Sequence, residues 1–535
     1  MEIEDTQAVT LPQNRLVLVF LALAMAQFTS YLDQTSVSTA LPAVASSLTT
    51  GSSISWVGTS FLISSTSIQL INGRLSDILG RKACLIMSLV VMGLGNFLSG
   101  CSQLPWQLYA SRAFSGFGAG AINALVQITI SDITTLKQRG KYFGIIGVSV
   151  ALGNGLGPVV GGFLTEHLGW RWAFWFITPM TAVTVMVLGA TLPPMPMSAD
   201  IRTKLRMVDW FGVLSSMLAV ATFLFPISRA GTTVSWDSPL TICMVVGGIA
   251  LFAVFLIAEF WVVKLPILPM RLFHRGLSAN ILIGANVAIG WVFWGNLFYL
   301  PLYFQNVQGW NPSQAGALIL PMVIAHGLSS GLSGFLISFF GRYKPVLRGG
   351  AAIWAVATAC KSFYGSETMP AAFGVVGILE GVGVGGCLQP VLVALLSNFD
   401  NKDRAVLTGL RNFVRILGGA IGITVSGTIL NNTLQAGLKD RFDAEVIAQL
   451  TSSSFAMDSM DLSEQDKSLI SKVYMRGLHV VFVTYAVLIS GVFVAFLLVK
   501  DQSLGGKGEE HKYQELHDQE DSPLNGHRSS GEEIS

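Results

Sequence analysis

Fourteen apolar runs, each long enough to cross about 30 Å of hydrocarbon, begin near residues 16, 53, 83, 106, 141, 171, 209, 240, 277, 313, 346, 369, 404 and 478. Lipid offers no hydrogen-bond partner to a bare peptide group, so each run must satisfy its own backbone as a helix. The predicted fold class is therefore an all-α polytopic membrane protein with 14 transmembrane spans. Composition agrees. Of the 535 residues 51% are hydrophobic and 12% charged, a balance that excludes a soluble enzyme of this length. The net charge of +2 resides in short loops rather than a basic patch, so the lipid bilayer and not nucleic acid is the expected partner. Five scattered cysteines give no disulfide framework and no metal site.

Charge sets the expected orientation. Alternate loops hold Arg74, Arg81 and Lys82; Lys137, Arg139 and Lys141; Arg202, Lys204 and Arg206; Lys264, Arg271 and Arg275; Arg342, Lys344 and Arg348; Lys402 and Arg404. The opposite short loops hold little beyond Arg171, Arg229 and Lys361, which places both termini in the cytosol. Residues 1–14 lack the basic region and cleavage site of a signal peptide and read as a disordered cytosolic segment. The acidic, Ser- and Gly-rich stretch 501–535 reads as a disordered cytosolic tail. An external loop is expected over 431–477, with a glycosylation sequon at Asn431.

The run from Gly144 to Gly162 holds seven glycines and Pro158, each unfavourable in an isolated helix. In hydrocarbon, small residues let two helix backbones approach closely, and Gly153, Gly157 and Gly161 form one smooth ridge. About 265 residues later, Gly409, Gly418 and Gly422 repeat the spacing of Gly144, Gly153 and Gly157. Gly73, Gly80 and Arg81 likewise recur as Gly334, Gly341 and Arg342, and Gly116, Gly118 and Gly120 as Gly381, Gly383 and Gly385. The predicted organisation is a six-helix bundle over 15–195, two inserted helices over 196–265, and a second six-helix bundle over 266–500. Parallel repeats suit alternating access about a central site.

Charges at bilayer depth cost at least about 2.5–3.5 kcal/mol and mark function. Asp33, Arg112, Glu380, Arg411 and Arg415 qualify. Asp33 lies roughly 26 Å from the basic-loop side and Arg112 roughly 9 Å from the other, so they come level. Glu380 and Arg415 also come level, which suggests a second pair. Asp33 and Arg112 have no charged counterparts in the second half, as a coupling site would not need. GLSSG at Gly327 and GVGVGG at Gly381 match enzyme motifs only by chance, since no strand precedes either.

An ordered series of motifs carries a family resemblance: LDQTSVSTALP from Leu32, GRLSDILGRK from Gly73, LYASRAFSGFGAGA from Leu108, the glycine run to Gly162, GWRWAFWFITP from Gly169, VDWFG from Val208 and FYLPLYFQNVQGWNPSQAG from Phe298. From Arg15 to Lys500 the chain resembles the major facilitator superfamily, in its fourteen-span drug:proton antiporter branch as found in fungi. The resemblance implies a conformational latch at Gly73, Asp77, Gly80 and Arg81, with Asp77 facing the N-terminus of the span that starts near Arg404. It also implies an antiporter helix bearing Gly144, Gly153, Gly157, Pro158, Gly161 and Gly162. The expected function is proton-coupled efflux of amphipathic small molecules by a monomer in the cell membrane. No cofactor beyond the coupling protons is expected. Proton coupling falls to Asp33, Arg112 and Glu380, and substrate contact to Trp294, Tyr299, Tyr303, Gln127 and Gln389. A vacuolar or plasma-membrane carrier of basic amino acids and a non-transporting receptor or scaffold stand as alternatives.

Overall fold

The computed structural model describes residues 13–48, 54, 56–134, 136–193, 210–229, 237–261, 268, 270–310, 312–399, 403–443, 446–447 and 463–501. The expected disordered tail from 502 and most of the expected disordered N-terminus lie outside these residues.

The described residues form helices at every predicted run: α1 (Gln13–Leu48), α2 (Trp56–Leu79), α3 (Arg81–Cys101), α4 (Pro105–Ile133), α5 (Leu136–Leu168), α6 (Trp172–Trp175) and α7 (Ile177–Thr191) in the first half; α8 (Trp210–Arg229) and α9 (Pro239–Trp261) between; α10 (Leu277–Asn306), α11 (Pro312–Ala317), α12 (Leu320–Phe340), α13 (Lys344–Lys361), α14 (Pro370–Ser397), α15 (Arg404–Leu438) and α16 (Glu464–Leu498) in the second. Eleven of the resulting segments are long and apolar enough to cross a membrane, with α6 and α7 together making one. The helices α2, α8 and α13 stand where runs were predicted but fall short of that measure. In α2, Ser64, Ser65, Ser67, Gln69 and Asn72 are buried inside the bundle rather than set against lipid. The apolar part of α8 stops at Pro226, and α13 is 18 residues long with Lys344, Arg348 and Lys361 in it.

The expected external loop is shorter than its predicted bounds. Helix α15 continues through the polar NNTLQAGL stretch to Leu438, and α16 starts at Glu464, where the Ser463 hydroxyl accepts from the Asp466 amide. Asn431 therefore sits inside a helix and is only 8% exposed. A glycosylation acceptor belongs on an accessible surface segment, so this geometry contradicts the sequon reading.

The glycine ridge has a partner, and it is α1. A Cβ on Gly153 would lie 2.9 Å from the Phe28 carbonyl oxygen and one on Gly162 3.8 Å from Thr39 Cβ; Gly157 abuts Thr35 and Gly161 abuts Ser36. The echo in the second half serves the same purpose, with Gly418 against Val287 and Gly422 against Trp291 of α10. A different set of small residues joins the halves. A Cβ on Gly140 of α5 would stand 2.7 Å from the Gly334 carbonyl oxygen of α12, and one on Gly144 would stand 2.7 Å from the Ser330 carbonyl oxygen. The inserted α8 and α9 pack on each other, and α8 lies against α2 and α15.

Candidate functional site

Asp33 and Arg112 meet as predicted. Arg112 Nη1 donates to Asp33 Oδ1 at 2.8 Å and to Asn96 Oδ1 at 3.2 Å. Asn96 Nδ2 and Ser115 Oγ donate to Asp33 Oδ2 at 3.1 and 3.2 Å. Three helices, α1, α3 and α4, thus converge on one fully buried carboxylate. The guanidinium also sits 4.4 Å from the Phe61 ring centre, a face that favours a cation.

Glu380 is paired differently from expectation. Its partner is Lys361, not Arg415, and Lys361 is the last residue of α13, 1% exposed, rather than a loop cation. Lys361 Nζ donates to Glu380 Oε2 and, at 2.7 Å, to Asn296 Oδ1. Asn296 Nδ2 and Trp354 Nε1 donate to Glu380 Oε1 at 2.5 and 3.3 Å. The repeat offset of 265 carries Asn96 onto Lys361 and Ser115 onto Glu380. Each half therefore holds one buried ion pair where its first, third and fourth helices converge, with the charges dealt to different positions. Phe298 and Gly377 stand at the positions that match Asp33 and Arg112, so those two residues have no charged counterparts although each half holds a buried pair.

Between the halves lies a polar layer. Asn412 Nδ2 of α15 donates to Gln127 Oε1 of α4 at 3.2 Å, and Arg415 Nη2 reaches the Tyr31 hydroxyl of α1 at 3.5 Å. Gln389 is buried beside Gly147, its Oε1 without a hydrogen-bond partner. Arg411 joins this layer from α15; in the sequence reading it had no role beyond marking depth, and Arg415 had only the pairing with Glu380 that Lys361 makes instead. A small cavity nearby is lined by Asn154, Phe293, Asn296, Met322, His326 and Val384. The predicted aromatics are engaged within the second half. Trp294 covers Gly419, the Tyr299 hydroxyl donates to the Ile423 carbonyl at 2.6 Å, and the Tyr303 hydroxyl donates to the Gly365 carbonyl at 2.8 Å. Tyr303 belongs to a ring cluster with Phe304, Tyr364, Phe373 and Phe482, away from the contact between halves.

At the basic-loop end the halves are shut. Gly73 lets α2 approach the start of α15, since a Cβ there would stand 2.9 Å from the Ala405 carbonyl oxygen. Gly80 takes φ 88°, a turn conformation suited to glycine, and links α2 to α3. Asp77 pairs with Arg81, whose Nε donates to Asp132 at 2.9 Å. Arg404 of α15 donates to the Ser131 carbonyl of α4 at 3.1 Å. The four predicted latch residues thus lie together, and Gly73 makes the close approach to the second half.

Comparison with known proteins agrees with this architecture. The chain is 36% identical over 496 residues to Citrate exporter 1 of Yarrowia lipolytica, covering 92% of this chain and 73% of the relative. It is 31% identical over 424 residues to Efflux pump dotC of Dothistroma septosporum, covering 79% and 73%. Among solved structures, the proton:xylose symporter XylE superposes with a TM-score of 0.59 at 14% identity, covering 92% of this chain and 97% of that one. That likeness shows the fold. The Major Facilitator Superfamily profile matches residues 23–422. With two six-helix halves, a shut basic-loop end and a sequence match over most of its length, the chain belongs to the major facilitator superfamily and is a membrane transporter, not an enzyme.

Proposed function

We propose that the chain is a fourteen-span, proton-coupled exporter that moves small organic molecules out of the cytosol by alternating access. The observation that carries this reading is Asp33, a buried carboxylate whose donors come from separate helices. Any tilt of α1 against α3 and α4 changes how many of those donors reach it. In the outward-open state Asp33 takes a proton from outside; in the inward-open state the proton leaves to the cytosol. Cargo and proton bind in alternate states and each favours release of the other, which gives exchange by linkage. Similarity to a citrate exporter and to an efflux pump supports the outward direction. Amphipathic compounds were the cargo expected from the family branch. The buried guanidiniums of Arg411 and Arg415 favour a second reading, cargo bearing negative charge, and work against a basic amino acid. The proposed address is the cell membrane, with the vacuole as alternative.

The test is flux in reconstituted vesicles under an imposed pH gradient, with citrate and an amphipathic drug as trial cargoes. Asp33→Asn should abolish gradient-driven accumulation while leaving passive exchange, and Arg112→Lys, which keeps charge but loses the planar fork, should retain part of the coupling. Wild-type accumulation by Asp33→Asn would remove Asp33 from the mechanism and turn attention to Glu380.

A further inference from the structure

We infer that Arg411 and Arg415 form the binding site for a cargo carrying at least two carboxylates; this rests on the exporter reading above and names its substrate class. The two residues lie one helical turn apart on α15, about 6 Å along its axis. They stand roughly 10 and 16 Å from the start of the helix, close to the middle of the membrane. Arg411 is 1% and Arg415 5% exposed. A guanidinium has five N–H donors, and these two are poorly served. Arg411 donates to the Leu388 carbonyl and, at 3.0 Å, to the neighbouring Asn412 Oδ1; Arg415 has the Tyr31 hydroxyl at 3.5 Å. The Nε of each has no acceptor. Among the described residues no ion pair involves either one, and the nearby buried carboxylates are committed elsewhere, Asp33 to Arg112 and Glu380 to Lys361.

Two like charges taken out of water without a counterion are strongly unfavourable. A structure that keeps them side by side is short of an anion. A planar guanidinium recognises a carboxylate through parallel N–H donors, and two guanidiniums one turn apart match two carboxylates joined by a short carbon chain. Gln127 and Gln389, buried on the facing helices α4 and α14, supply amide groups for hydroxyl or further carboxyl oxygens. A neutral amphiphile would leave both charges uncompensated, and a cation would add a third.

The test uses the full chain in phosphatidylcholine nanodiscs with no pH gradient, so that it is independent of proton coupling. Citrate, succinate, acetate and chloride are compared by calorimetric titration and thermal unfolding. Citrate and succinate should bind at least tenfold more tightly than acetate or chloride and raise the unfolding temperature. Arg411→Gln and Arg415→Gln should each weaken citrate binding by at least tenfold while the ligand-free protein unfolds at the same or a higher temperature, since an unpaired buried charge has gone. A purely structural arginine would instead lower it. The lysine variants should recover part of the affinity. No shift with either polycarboxylate, equal binding of chloride, or unchanged citrate affinity in the glutamine variants would overturn the assignment. If polycarboxylates bind as expected but Asp33→Asn still accumulates cargo at the wild-type rate, the coupling reading fails and the anion site stands.

Discussion

The Lys361–Glu380 pair offers a quantitative check on how the second half is held together. Removing one member of a buried pair leaves a charge without compensation and costs about 3–5 kcal/mol, whereas replacing both with apolar groups is often neutral or stabilising. The structure orders the single variants. In Lys361→Met the carboxylate of Glu380 keeps two donors, Asn296 Nδ2 and Trp354 Nε1, so the loss should fall at the lower end, about 3 kcal/mol. In Glu380→Leu the ammonium of Lys361 keeps one acceptor, Asn296 Oδ1, and the Phe482 ring 5.8 Å away, so the loss should approach about 5 kcal/mol. The double variant Lys361→Met, Glu380→Leu should return to within about 1 kcal/mol of wild type, giving a coupling energy larger than either error. The assay is unfolding of detergent-purified protein followed by tryptophan fluorescence, run as a double-mutant cycle. Additive losses, with the double variant the least stable of the four, would show that the two residues do not compensate one another and would refute the pairing argument.

Three other outcomes follow from the packing. Gly73→Leu should prevent α2 from closing on Ala405, so that the basic-loop end stays open; cysteine labelling from that side should rise severalfold, and unchanged labelling would mean the contact is dispensable. Gly157→Leu places a bulky group against Thr35 of α1 within one half, so the yield of folded protein should drop sharply, whereas Pro158→Ala should fold normally and lose transport. Asn431→Gln should leave electrophoretic mobility unchanged on expression in a glycosylating host, because the side chain is buried in α15; a downward shift would place it on an exposed segment.

Helix positions were readable because a long run with few charges marks a helix, α2 included, although its buried serines and amides leave it short of the apolarity of a span. The pairing of Asp33 with Arg112 was readable because both lie well inside long runs, where depth can be counted. Lys361 was not, since a lysine at the end of a short run has the appearance of a loop cation; only adding the repeat offset to Asn96 would have pointed to it. The glycine ridge was legible as a contact surface, but its partner was not, because spacing says that two backbones approach and not which two. Asn431 was misplaced for the converse reason to Lys361. Helix α15 runs on into polar residues that are shielded by packing, and hydropathy stops counting before the helix does.

Gly140 and Gly144 of α5 face Gly334 and the Ser330 carbonyl of α12, while Gly327 and Gly331 lie over Ala151 and Val148 on the same seam. Helices usually lock by setting ridges of side chains into grooves, which fixes a crossing angle. Here glycines lie at each close approach, opposite backbone or the small and β-branched side chains of Ser330, Ile337, Val148 and Ala151. Such a joint behaves like a plain bearing rather than a ratchet: it has little register to lose, so the halves can tilt through small angles without a steric step at the axle. Resistance to tilting then falls to the ends and the middle, where Gly73 meets Ala405 and where the proposed anion site of Arg411 and Arg415 lies.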